Sequence, residues 1–118
     1  MIDSSLKNKI EFILVEPSHP GNIGASARAI KNMGFKNLSL VQPKDFPNDD
    51  AYYRAKGAKD ILDDAKIYGD LSNALEDSTL IFGTSARART IPWPTKNSSE
   101  LTSVLKTGLQ SNNAKISF

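Results

Sequence analysis

Ile10-Glu11-Phe12-Ile13-Leu14-Val15-Glu16-Pro17-Ser18-His19-Pro20-Gly21-Asn22-Ile23-Gly24-Ala25-Ser26-Ala27-Arg28 is the stretch on which the fold turns. Its first six residues form a short, nearly continuous apolar run, the pattern of a strand covered on both faces. Pro17, Pro20 and Gly21 interrupt that run. From Asn22 the period changes: Ile23, Ala27 and Ile30 fall at i, i+4 and i+7 on one helical face, with Asn22 as the expected N-cap. Gly34 stands where a left-handed helix terminus is wanted, and Leu38-Ser39-Leu40-Val41 follows as a second strand closed by Pro43. A strand, a helix and a strand at this spacing make a βαβ unit, so the two strands are expected parallel with a right-handed crossover.

Outward from that unit, residues 51–58 read as a helix and Lys66-Ile67-Tyr68 as a short strand. Asp70 caps a brief helix through Leu75, Thr79-Leu80-Ile81-Phe82 is a further strand, and Ser99 opens a helix running to about Leu105. Ala114-Lys115-Ile116-Ser117-Phe118 has the pattern of one more strand, and the sequence stops inside it. The expected architecture is α/β: an open, mostly parallel sheet with helices on both faces. Residues 1–118 are expected to form a single partial domain, because an apolar strand left unpaired at an edge invites aggregation.

Composition narrows the chemistry. The 118 residues include no cysteine and one histidine, His19, which removes thiolate metal sites, disulfides and most zinc or triad arrangements. No metal is expected. No apolar stretch is long enough for a signal core or a membrane span, and a cytoplasmic protein is the default. The formal net charge of +2 is too small to signal a nucleic-acid partner by itself. Its distribution is more telling: Arg87, Arg89 and Lys96 are the only charged residues between positions 83 and 97, whereas residues 45–64 are rich in aspartate.

Two constellations are candidates for function. In residues 21–28, a strand's carboxyl end meets a helix amino end, the usual ligand position in open α/β sheets. Gly24 would leave bare backbone in the first turn, Arg28 follows four residues on and Lys31 three further, giving a stripe suited to a phosphodiester. The alternative is that Gly24 serves close packing and Arg28 is a solvated surface residue. No Gly-Lys-Ser/Thr follows, so this is not a Walker loop.

The second constellation is Gly83-Thr84-Ser85-Ala86-Arg87-Ala88-Arg89-Thr90-Ile91-Pro92-Trp93-Pro94. It follows a strand and so emerges at the same sheet edge. Small residues let backbone wrap a ligand, and two guanidinium forks without a nearby acid suit phosphate. Trp93 either stacks on a base or anchors its loop, the second being the simpler reading. Tyr52 and Tyr53 are read as helix packing, Asp60 to Asp64 as a solvated face, and His19 as incidental.

Taken together, residues 15–29 and 83–94, with Gly57-Ala58-Lys59-Asp60 between them, resemble the SPOUT superfamily of RNA methyltransferases, within it the SpoU branch of ribose 2′-O-methyltransferases that act on tRNA. The resemblance runs from Ile10 to Phe118. It implies a Rossmann-like sheet continued into a deep trefoil knot. It also implies transfer of a methyl group from S-adenosylmethionine to a ribose 2′-hydroxyl of tRNA, a pyrimidine of the anticodon loop, by a homodimer. Asn22 and Arg28 match the family's first motif and are the implied catalytic residues. Thr84, Ser85 and Ala86 match a loop beside the methyl donor, and Arg87 and Arg89, with Gly24 and Lys31, are the expected RNA contacts. The family's glycine-rich donor loop and knot would follow Phe118, so the donor pocket is expected to be incomplete here. Two other readings stand beside it: a non-catalytic RNA-binding module of that descent, and a nucleotide-binding Rossmann-like domain. The second is weakened by Gln42-Pro43 where an acidic residue would hold a ribose.

Overall fold

The computed structural model describes residues 4–84, 98–108 and 115–118. After a short helix α1 (Ser4–Lys7) come β1 (Ile10–Val15), α2 (Pro20–Asn32) and β2 (Asn37–Val41), the βαβ unit expected from the sequence. Then α3 (Asp49–Ala55), a 3₁₀ turn (Lys56–Ala58) and α4 (Lys59–Asp63) lead into β3 (Lys66–Tyr68). The last described elements are α5 (Leu71–Ala74), β4 (Leu80–Ile81), α6 (Ser98–Gly108) and β5 (Ile116–Ser117). All strand pairs are parallel and the sheet order is β3-β2-β1-β5-β4.

The final strand overturns one expectation. β5 is not an exposed edge: Ile116 pairs with Ile10 of β1 on one side and Leu80 of β4 on the other. Ile116 and Ser117 are fully buried, and the Phe118 backbone N–H donates to the Glu11 carbonyl. The unpaired-edge argument therefore does not apply to it.

One face of the sheet carries the apolar half of each strand. Ile23, Ala27 and Ile30 of α2 pack with Leu38 and Leu40 of β2 and with Ala51, Ala55, Ile61 and Leu62 of α3 and α4. A second cluster joins Ile10 and Ile116 to Leu80 and to Leu105 of α6. Phe12 belongs to both, edge-on to Phe35 and stacked on Phe118. The β3-to-β4 connection spans the whole sheet in the other direction, so a right-handed crossover carries α5 over the opposite face. That face is polar at its centre, with buried Glu11, Ser39 and Ser117, and Lys115 lies 3.4 Å from the Glu11 carboxylate.

The helix that positions the site starts earlier than its pattern suggests. His19, not Asn22, is the N-cap of α2: its Nδ1 accepts from the Gly21 N–H at 3.1 Å, and Pro20 occupies the first turn. A proline is well suited there, since its missing N–H is one that the helix leaves unbonded anyway. At the other end Gly34 has φ of 87° and the Phe35 N–H reaches back to the Ile30 carbonyl, closing the helix with the left-handed residue the sequence predicts. Lys7 adds a cation there, donating to the Met33 carbonyl.

Candidate functional site

α2 runs away from the carboxyl edge of the sheet, where the loops after β1, β2 and β4 emerge. Asn22 lies in its first turn and is exposed. Arg28 is exposed six positions further on. Six residues separate the two, so they stand roughly 9 Å apart along the axis and about 120° apart around it. They share a helix without sharing a face.

Gly24 is corrected from RNA contact to packing residue. It is buried, and a methyl group there would run into the backbone carbonyl oxygen of Ala51. The glycine is what lets α2 and α3 approach at backbone distance, so no open surface remains at this position for a ligand. The close packing considered from sequence is real, and its partner is α3.

Lys31 is exposed but already paired. Its ammonium lies 2.9 Å from Asp60 Oδ1 and 3.0 Å from the Gly57 carbonyl, pinning the carboxyl half of α2 to the 3₁₀ turn and α4. The hydrogen bond from Lys31 holds the Asp60 carboxyl below its usual pKa. A lysine already matched with a carboxylate and a carbonyl offers little to phosphate, and the predicted stripe of Gly24, Arg28 and Lys31 reduces to Arg28. That guanidinium has no hydrogen bond or ion pair among the described residues.

What surrounds Arg28 was not foreseen. A shallow groove of about 470 Å³ opens where α2 and α3 meet solvent, lined by Ala25, Arg28 and Ala29 on one side and Tyr53, Arg54 and Lys56 on the other. None of its lining residues is acidic. Tyr52 does pack, stacking on Phe46 and donating to Asp63, and both burial and that hydrogen bond raise its phenol pKa. Tyr53 does not pack: it is 69% exposed. The helical phase could have shown this, because Ala51 and Ala55 mark the buried face and leave Tyr53, Arg54 and Lys56 outward. A second cavity, of about 230 Å³, is lined by Glu11, Lys36, Asp60, Asp64 and Lys66; its mixed charges do not select an anion.

Past β4, Gly83 and Thr84 are exposed at the carboxyl edge, and a side-chain carbon added at Gly83 would meet nothing within 4 Å. Ser85, Ala86, Arg87, Arg89 and Trp93 lie outside the described residues. Among the described residues no group of acidic or histidine side chains is placed to hold a metal ion, and no helix is long and apolar enough to cross a membrane.

Among the described residues the parallel α/β sheet thus carries an arginine without a partner and, between α2 and α3, a groove whose charged lining residues are basic. Comparison with known proteins identifies the family. Residues 9–107 match the SpoU rRNA Methylase family, and the chain belongs to that family. It is 49% identical over 105 residues to the tRNA (cytidine/uridine/adenosine-2′-O-)-methyltransferase TrmJ of Pseudomonas aeruginosa, covering 89% of this chain and 41% of the relative. To the tRNA (cytidine/uridine-2′-O-)-methyltransferase TrmJ of Sodalis glossinidius it is 48% identical, covering 74% of this chain and 34% of the relative. The chain thus spans less than half the length of these curated relatives.

Solved structures agree on the fold. A probable methyltransferase from Bordetella pertussis superposes with a TM-score of 0.89 at 33% identity, over 98% of this chain and 70% of that one. TrmJ from Z. mobilis ZM4 superposes with a TM-score of 0.82 at 29% identity, over 92% of this chain and 48% of that one.

Proposed function

We propose that this chain belongs to a tRNA ribose 2′-O-methyltransferase, acting on a pyrimidine of the anticodon loop as a cytoplasmic homodimer. The observation that carries the reading is Arg28: it is exposed, has no partner among the described residues, and lies on the wall of a groove whose charged residues are all basic.

The reaction would form a bond between a methyl carbon and the ribose 2′-oxygen as the donor's sulfur–methyl bond breaks and its electron pair stays on sulfur, with the 2′-hydroxyl proton going to solvent. A guanidinium is protonated throughout the accessible pH range and cannot take that proton. Arg28 instead grips the phosphate next to the target ribose through two N–H groups and stabilises the negative charge developing on the 2′-oxygen. Asn22, in the first turn of α2, orients the nucleotide from the sheet edge. Holding the hydroxyl near the donor supplies much of the remaining acceleration.

The donor, S-adenosylmethionine, supplies an electrophilic methyl group when bound. The described residues fit it in part: Gly83 leaves open space and Thr84 presents an exposed hydroxyl where β4 ends. Ser85 and Ala86 would continue that loop, and Arg87 and Arg89 would meet the RNA.

The test is to incubate the full-length protein that carries residues 1–118 with tRNA and methyl-labelled S-adenosylmethionine, then map ribose methylation by resistance to alkaline cleavage; residues 1–118 alone, with an incomplete donor pocket, are not expected to complete the transfer. Methylation of an anticodon-loop pyrimidine is expected. RNA binding without methylation would favour a second reading, a non-catalytic RNA-binding module.

A further inference from the structure

The groove between α2 and α3 holds two cations that the mechanism above leaves idle. Arg54 and Lys56 line it opposite Arg28, bringing three positive charges together without an acid among the lining residues. The nearest counter-charge is Asp50, one turn back on α3, whose Oδ1 lies 3.7 Å from Arg54 Nε. That is longer than a charge-assisted hydrogen bond, and both side chains are substantially exposed, so the pair leaves Arg54 able to take another anion.

Lys56 adds a second, independent observation. Its backbone has φ of 54° and ψ of −118°, a region that favours glycine, although the residue carries a long side chain. Its ammonium is held 4.3 Å from the centre of the exposed Tyr53 ring. Strained backbone of this kind clusters at functional sites, and here it presents a cation at the groove rather than a bare turn. The opposite wall is Ala25 and Ala29, too small to obstruct the floor. A single small anion would engage only part of such an open channel; a chain of phosphates can engage all three cations.

We propose that Tyr53, Arg54 and Lys56 form a track for the RNA sugar–phosphate backbone, continuing past the nucleotide held by Arg28. The proposal rests on the reading of Arg28 as the phosphate-gripping residue and adds contacts flanking the target ribose. Arg54 and Lys56 each meet a phosphate, with the Tyr53 ring fixing the lysine in place.

The test is binding of the chain to a labelled anticodon stem–loop RNA across a potassium chloride series, with thermal melting of each variant. Arg54→Gln and Lys56→Gly are each expected to weaken binding about tenfold and to flatten the slope of log affinity against log salt by roughly 0.7 to 0.9. Lys56→Arg should bind as the wild type. Lys56→Gly relieves the positive φ, so it should melt higher than the wild type while binding more weakly, which a folding defect cannot produce. If both charge-removing variants bind with unchanged affinity and slope, the track is wrong. Loss of binding on Arg28→Gln in that case would leave the Arg28 reading standing alone. If Tyr53→Ala or Lys56→Gly instead changes the sedimentation of the chain without changing RNA affinity, the groove is a protein interface and the track is overturned. No RNA binding by the wild type overturns both readings.

Discussion

Arg28 and Lys31 lie three residues apart on α2 and differ in what holds them: one has no partner among the described residues, the other bonds Asp60 and Gly57. Their replacement should therefore separate cleanly. Arg28→Lys keeps the charge but loses the planar fork, and methyl transfer is expected to fall by about two orders of magnitude, measured as labelled methyl in tRNA. Lys31→Met should leave RNA affinity within about twofold, because removing a lysine already matched by a carboxylate takes no free charge from the RNA surface. It should also change the acid side of the stability profile. The folded-state pKa of Asp60 is depressed, so its contribution is present at neutral pH and is lost as pH falls through the folded value, below about pH 4. In Lys31→Met that acid-side loss shrinks, a difference that urea titrations at neutral and acidic pH would register.

At the scale of elements, the contact of α2 with α3 is made by Gly24 against the Ala51 carbonyl, and little can relax there because the opposing group is backbone. Gly24→Ala should destabilise the fold by about 2 kcal/mol in chemical denaturation, as overpacked interiors do. Sequence showed that Gly24 was special but not for which surface, since a small residue serves a ligand and a neighbouring helix equally well. The start of α2 was misread for a similar reason. Pro20 and Gly21 look like loop residues, yet a proline fits the first helical turn and His19 supplies the cap through Nδ1. His19→Ala should cost about 1 kcal/mol of stability, the ordinary value of a lost cap.

Across the whole molecule, the βαβ unit was legible because two periods, the strand's and the helix's, meet inside thirty residues and the burial of Ile23, Ala27, Leu38 and Leu40 follows them. The position of β5 between β1 and β4 was not, because strand order is set by long-range pairing and leaves no local mark. The motif around Arg28 was readable as residue types in order, while Lys31's engagement depended on a carboxylate 29 residues away that no spacing rule supplies. Tyr53, Arg54 and Lys56 fell between these cases: their outward phase was in the sequence, but their meeting with Arg28 required the α2–α3 packing angle.

In the proposed function Arg28 serves ribose methylation rather than RNA binding alone. The most direct measurement is ribose-methylation mapping of tRNA after incubation with the full-length protein that carries residues 1–118 and S-adenosylmethionine, for the wild type and Arg28→Lys in parallel. A 2′-O-methyl group on an anticodon-loop pyrimidine is expected with the wild type, and a loss of about a hundredfold in its rate of formation with the variant. Tight tRNA binding with no methylation by the wild type, or equal methylation by both proteins, would contradict it.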